Sequence, residues 1–107
     1  MSVPWLDLGN LDDLMDGGEC RGVVVDGHKL GIFVVDEEVF VIDDLCSHGN
    51  ALLSDGDLDG YEIECPLHAG AFDVRSGKAL CKPLTRDVRK YETRVEGGAL
   101  LVRFERT

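Results

Sequence analysis

The sequence predicts an all-β protein, an antiparallel sandwich or partly open barrel, and three observations carry that expectation. Apolar residues fall in short runs, broken by 13 glycines and repeated Asp-Gly pairs. The final run alternates, with Leu100, Val102 and Phe104 on one face and Leu101, Arg103 and Glu105 on the other. Only Leu11–Met15 has a helical pattern, with Asn10 as N-cap and Gly17 or Gly18 as the stop.

Taken in chain order, residues 22–25 and 30–35 flank Asp26-Gly27, a strong hairpin signal. Residues 39–42 follow Asp36-Glu37-Glu38 and are expected to pair back as a third strand. From about 43 to 83 the texture changes to Gly, Asp, Cys and His, so this stretch reads as an insertion carrying the chemistry. Within it, residues 61–64 are expected to return as a strand. Residues 88–95 and 99–104 flank Glu96-Gly97-Gly98 as a further hairpin. The chain is expected to be a single domain, 1–107, with no repeat, linker or low-complexity segment.

Charge and composition exclude several functions. With 21 acidic and 11 basic residues the formal charge is −10, which repels nucleic acid. The acidity keeps a protein in solution and steers it toward partners with basic patches. No apolar run approaches the ~20 residues of a membrane span. The start, Met1-Ser2-Val3-Pro4-Trp5, lacks the basic and apolar regions of a secretory signal, so the expected compartment is the cytoplasm. A reducing compartment disfavours disulfides, leaving the four cysteines as metal ligands or buried thiols.

Two short clusters hold the chemistry: Cys46-Ser47-His48 and Cys65-Pro66-Leu67-His68. Each contributes one thiol and one imidazole from a loop, and the intervening residues can fold out and return to bring four soft or borderline ligands together. Three readings compete. Unrelated cysteines and surface histidines would not repeat the pairing, and two of the chain's three histidines stand here. A structural Cys2His2 zinc site usually takes both cysteines from one element and both histidines from another. A [2Fe–2S] centre with two cysteines on one iron and two histidines on the other matches one of each per loop.

These motifs, Cys46-Ser47-His48-Gly49 and Cys65-Pro66-Leu67-His68-Ala69-Gly70-Ala71-Phe72-Asp73, resemble those of the Rieske ferredoxins, electron carriers of bacterial aromatic-ring dioxygenase systems. The resemblance spans nearly the whole chain. It implies a β-sandwich with the cluster-binding loops as a small subdomain at one end, and one Rieske [2Fe–2S] cluster per chain. Cys46 and Cys65 would bind the buried iron, and His48 and His68 the outer iron through Nδ1. Ala69 departs from the glycine usual in relatives.

The resemblance also sorts the centre. High-potential Rieske proteins of respiratory complexes carry an extra, disulfide-forming cysteine in each loop, and those positions here are Ala51 and Leu67. Their serine and tyrosine donors to sulfur are replaced by Gly70 and Phe72. Hydrogen bonds to sulfur favour the reduced cluster, so their absence implies a potential near the lower end of the Rieske span of about −150 to +300 mV. The Nε2–H groups of the liganding histidines should acidify, so the potential should fall at alkaline pH.

The implied function is a shuttle, not an enzyme: one electron from a flavin-dependent NAD(P)H reductase to a terminal ring-hydroxylating oxygenase, with transient docking near His48 and His68. An oxygenase needs a mononuclear iron on two further histidines and a carboxylate, and only His28 remains. Pro66, Leu67 and Gly49 would frame an apolar contact ring, and a monomer is the simplest state. Alternatives are a tightly bound small subunit of a larger reductase or oxidase, and a carrier for another monooxygenase. Of the remainder, Cys20 and Cys81 are expected as buried thiols. His28 is expected as an exposed polar residue, Trp5 as an anchor at a core edge, and Asp73 as a backbone acceptor in the cluster loop.

Overall fold

The computed structural model describes residues 4–46, 51–66, 70–80 and 86–104, which form three antiparallel sheets. Strand β1 (Trp5–Asn10) leads into helix α1 (Leu11–Met15), and β2 (Cys20–Val25), β3 (His28–Val35) and β4 (Glu38–Asp43) make a meander. A 3₁₀ turn, Leu53–Asp55, precedes β5 (Asp57–Asp59), β6 (Glu62–Glu64) and β7 (Ala71–Asp73). The chain ends with β8 (Lys90–Tyr91), β9 (Thr93–Glu96) and β10 (Ala99–Arg103).

The tight turns follow from local chemistry. Asp26 and Gly27 both have positive φ, as do Asp36 and Glu37, and Gly97 and Gly98. Positive φ at both central positions is the twist-matched hairpin turn. Val35 pairs with Glu38, so the second hairpin turns on two residues rather than the three expected. Helix α1 starts as predicted: the Asn10 side chain accepts from the Asp13 amide at 3.1 Å. Its stop is Asp16, left-handed at φ 47°, one residue before the glycines read as the terminator.

Two expectations need correction. Residues 88–95 are not one strand. Lys90–Tyr91 pairs with β4 in the central sheet, and Thr93–Glu96 pairs with β10 in the outer one, so the chain changes sheets at Glu92. In addition, β1 was not anticipated as a strand. It pairs with β10 at the far end of the chain, from Trp5 opposite Arg103 to Asn10 opposite Ala99, which no local pattern announces.

The central sheet, in the order β2-β3-β4-β8, is covered on both faces. On one side, Leu30, Ile32 and Val41 pack with Leu100, Val102, Phe104 and Met15. On the other, Phe33 and Ile42 pack with Leu53, Ile63, Phe72, Val74 and both Cys46 and Cys65. Two-sided burial explains why β3 reads as a continuous apolar run instead of alternating. The second core joins the β5-β6-β7 sheet to the base. That small sheet is acidic outside: Asp57 faces Glu64 and Asp59 faces Glu62 across the ladder, while Leu58 and Ile63 turn inward.

Candidate metal centre

Cys46 and Cys65 root two loops of matching construction. The Cys46 amide donates to the Ala51 carbonyl at 2.8 Å, and the Cys65 amide donates to the Gly70 carbonyl at 2.9 Å. Each cysteine therefore closes on the residue five positions ahead. Immediately outside, Leu45 bridges to Leu52, and Glu64 pairs with Ala71. The two thiols are 1% and 0% exposed and belong to one core cluster. Neither is in a disulfide.

The predicted ligands His48 and His68 lie outside the described residues, as do Gly49, Leu67, Ala69 and Cys81. In sequence, each histidine falls inside one of the two closed loops. Two buried thiols, one at the base of each loop, fit the thiolate half of a mixed-ligand [2Fe–2S] donor set. Among the described residues alone, no group of three or more His, Cys, Asp or Glu could hold a metal. Phe72, two residues past the closure of the second loop, is fully buried, and Ala51, which closes the first, is buried and carries no sulfur.

Polar anchors fasten the first loop to the base. Asp44 is buried at 1% exposure, and its carboxylate accepts from the Ser54 amide and the Ser54 hydroxyl, both at 2.6 Å. Its carbonyl accepts from the Leu53 amide, and its amide donates to the Lys29 carbonyl. Room for it comes from Gly22 and Gly31, which face each other across β2 and β3. A Cβ at Gly22 would lie 2.7 Å from the Asp44 carboxylate, and one at Gly31 would lie 2.8 Å from it. The sequence reading missed this slot, although both glycines stand at mirrored positions about the Asp26-Gly27 turn.

A second polar group was also missed. His28 is half exposed, but it is not a solitary surface residue. Its Nε2 lies 2.8 Å from Asp43 Oδ1 and 3.0 Å from the Tyr91 hydroxyl, which itself donates to Asp43 Oδ1 at 2.6 Å. Because the carboxylate only accepts, the imidazole proton belongs on Nε2. Burial, reinforced by donation to Asp43, raises the Tyr91 pKa, so the phenol stays a donor.

The other side chains sort as follows. Cys20 is half-buried rather than buried, and burial with the nearby Glu19 and Asp44 charges pushes its thiol up to about 11. Asp73 accepts from the Arg75 amide at 2.8 Å, as expected of a backbone acceptor. It also binds the Arg75 guanidinium at 2.8 Å, which lowers its pKa. Trp5 is flanked by the Arg94 and Arg103 guanidinium groups, 5.0 and 5.6 Å from its ring, and so caps the outer sheet.

Known proteins share this architecture along their whole length. The ferredoxin component of the naphthalene 1,2-dioxygenase/salicylate 5-hydroxylase systems of Ralstonia sp is 45% identical over 105 residues, covering 98% of this chain and 100% of the relative. The Sphingomonas yanoikuyae B1 ferredoxin superposes with a TM-score of 0.85 at 38% identity, over 95% of this chain and 100% of that one. A chain of the complex of reduced oxygenase and oxidized ferredoxin in carbazole 1,9a-dioxygenase gives 0.85 at 36% identity, over 99% and 98% of the two chains. These relatives are ferredoxins, not catalytic oxygenases. The Rieske [2Fe-2S] domain family matches residues 4–92. On the paired cysteine loops, the shared fold and that match, the chain belongs to the Rieske [2Fe–2S] domain family.

Proposed function

We propose that this chain is a one-electron carrier, taking electrons from a flavin-dependent NAD(P)H reductase and delivering them to a terminal ring-hydroxylating oxygenase. The observation that carries the reading is the matched closure of the Cys46 and Cys65 loops within one core. Cys46, His48, Cys65 and His68 would hold the cluster, which supplies a one-electron couple. Cys46 and Cys65 are buried, which would keep water from their thiolates when the cluster is bound. Gly70 and Phe72 bring no side-chain donor to sulfur, in keeping with a low potential.

The partner side rests on relatives named as ferredoxin components of dioxygenase systems, and on the oxygenase–ferredoxin complex of carbazole 1,9a-dioxygenase. Docking would be transient and close to His48 and His68. Among the described residues, no helix is long and apolar enough to cross a membrane. A cytoplasmic monomer of one domain, 1–107, with a cluster-binding subdomain over about 43–83, completes the proposal.

The test is an EPR spectrum of the dithionite-reduced protein with metal analysis. A rhombic signal whose average g lies below that of all-cysteine clusters, with two irons per chain, is the expected result. One zinc per chain and no signal would overturn it.

A further inference from the structure

Residues 43–89 leave the base sheet and return to it beside one another. The return is slight: β8 pairs with β4 at only two positions, Val41 with Tyr91 and Ile42 with Lys90. Bringing together ends 46 residues apart carries a loop-closure cost that two ladder positions oppose weakly. Asp43 adds to them at this junction. Its amide donates to the Arg89 carbonyl at 2.8 Å, and its Oδ2 receives the Arg89 amide at 3.4 Å. Its Oδ1 receives Tyr91 and His28. One carboxylate thus joins the outgoing limb, the returning limb and the start of β3.

The same neighbourhood reaches the first ligand loop. His28, Asp43, Leu45 and Cys46 line one open pocket of about 450 Å³, with Arg86 and Val88 on the returning side. Phe104 packs against both rings, 5.4 Å from His28 and 5.9 Å from Tyr91. The clip is therefore fixed against the main core on one side and stands three residues from Cys46 on the other. The second loop is built differently: its cysteine extends a regular strand, β6, paired on both edges.

We propose that Asp43, held by Tyr91 and His28, is a positioning residue for the metal centre: it locks the two limbs of the 43–89 segment together and so sets the stance of Cys46 toward Cys65. The inference rests on the cluster reading above. A carboxylate that receives two side-chain donors makes hydrogen bonds of the stronger, charge-assisted kind. Losing them leaves the returning limb with its two ladder positions and the backbone bond from Asp43 to Arg89, and lets the first loop sample other stances, while the second is unaffected.

The experiment compares the cluster-loaded wild type with Asp43→Ala, Asp43→Asn, Tyr91→Phe and His28→Ala. Loss of cluster absorbance is timed under an iron chelator, and reduced EPR spectra and peptide-level hydrogen exchange are recorded. Asp43→Ala and Tyr91→Phe should lose the cluster about tenfold faster. Their EPR lines should broaden, and exchange should rise at residues 44–46 but not at 62–64. Asp43→Asn, which keeps the oxygen acceptor, should recover much of the wild-type rate, and His28→Ala should cost about threefold. If Asp43→Ala does not fold, Tyr91→Phe carries the test, since its ring is retained. Unchanged loss rates and spectra with a lowered Tm would overturn the proposal, leaving an ordinary structural bond. A wild type without the rhombic signal would sink the cluster reading instead, and the exchange pattern would still decide whether the clip exists.

Discussion

The loop rooted at Cys46 and the loop rooted at Cys65 each close with the cysteine amide on a carbonyl five residues ahead, but different structures stand behind them. The second grows from β6, a strand hydrogen-bonded on both sides, and its outer turn is finished by the local Asp73–Arg75 pair. The first follows β4 and is pinned by side chains: Asp44 on Ser54, and Asp43 on Tyr91 and His28. One loop is held by ladder hydrogen bonds that many side chains would support, the other by point contacts that depend on particular residues. Single substitutions should therefore expose the first loop long before the second.

The largest effect should be shared by both. Cys46→Ala and Cys65→Ala should each bring iron content down to background, because on the proposed ligation either change removes half the thiolates from one iron. Iron retained in one variant would show that the loops are not equivalent in ligation. Next, Asp44→Ala leaves the Ser54 amide and hydroxyl without their partner in a buried slot. It should cost about 2–3 kcal/mol in denaturant unfolding, with early proteolysis near the first loop. Gly31→Ala should cost about 1–3 kcal/mol by the opposite route, since its methyl would press on the Asp44 carboxylate and the Phe33 ring.

Smaller effects sharpen the contrast. Cys20 packs against the same core as Cys46 and Cys65 but belongs to no loop. With its thiol pushed up to about 11, it should react slowly with iodoacetamide at neutral pH and faster as pH approaches that value, read by peptide mass spectrometry. Removing the cluster should expose Cys46 and Cys65 to alkylation without changing Cys20. The smallest effect belongs to the second loop. The Asp73 pKa is lowered by Arg75, so the stability it contributes is present above its ordinary value of 3.8 and lost as pH falls through the lowered one. Arg75 is exposed, so Asp73→Ala should lower the neutral-pH midpoint only slightly and flatten the acid limb of the pH–stability curve by the same small amount.

Sequence legibility followed the range of each interaction. The Asp26-Gly27 and Gly97-Gly98 turns and the Asn10 cap are decided within a few residues and were readable. So was the paired C-x-H and C-x-x-H spacing. Strand β1 and the sheet change at Glu92 were not, because their partners are set by the sandwich as a whole. Asp44 looked like one more acidic residue in an acidic chain, and only the Gly22–Gly31 pairing reveals the slot that takes it. The exposure of His28 was readable, but its pairing was not, because neither Asp43 nor Tyr91 is near it in sequence.

The acidic face of the β5-β6 hairpin carries a consequence of its own. Asp57 opposite Glu64, and Asp59 opposite Glu62, place like charges directly across a ladder, an arrangement that works against pairing. Dissolved salt shortens the reach of that repulsion, and equally shortens the reach of attraction toward any partner of opposite charge. Against a partner of opposite charge, ionic strength therefore pulls durability and turnover in opposite directions: brine that lengthens the life of the fold slows the meetings on which a diffusing carrier depends.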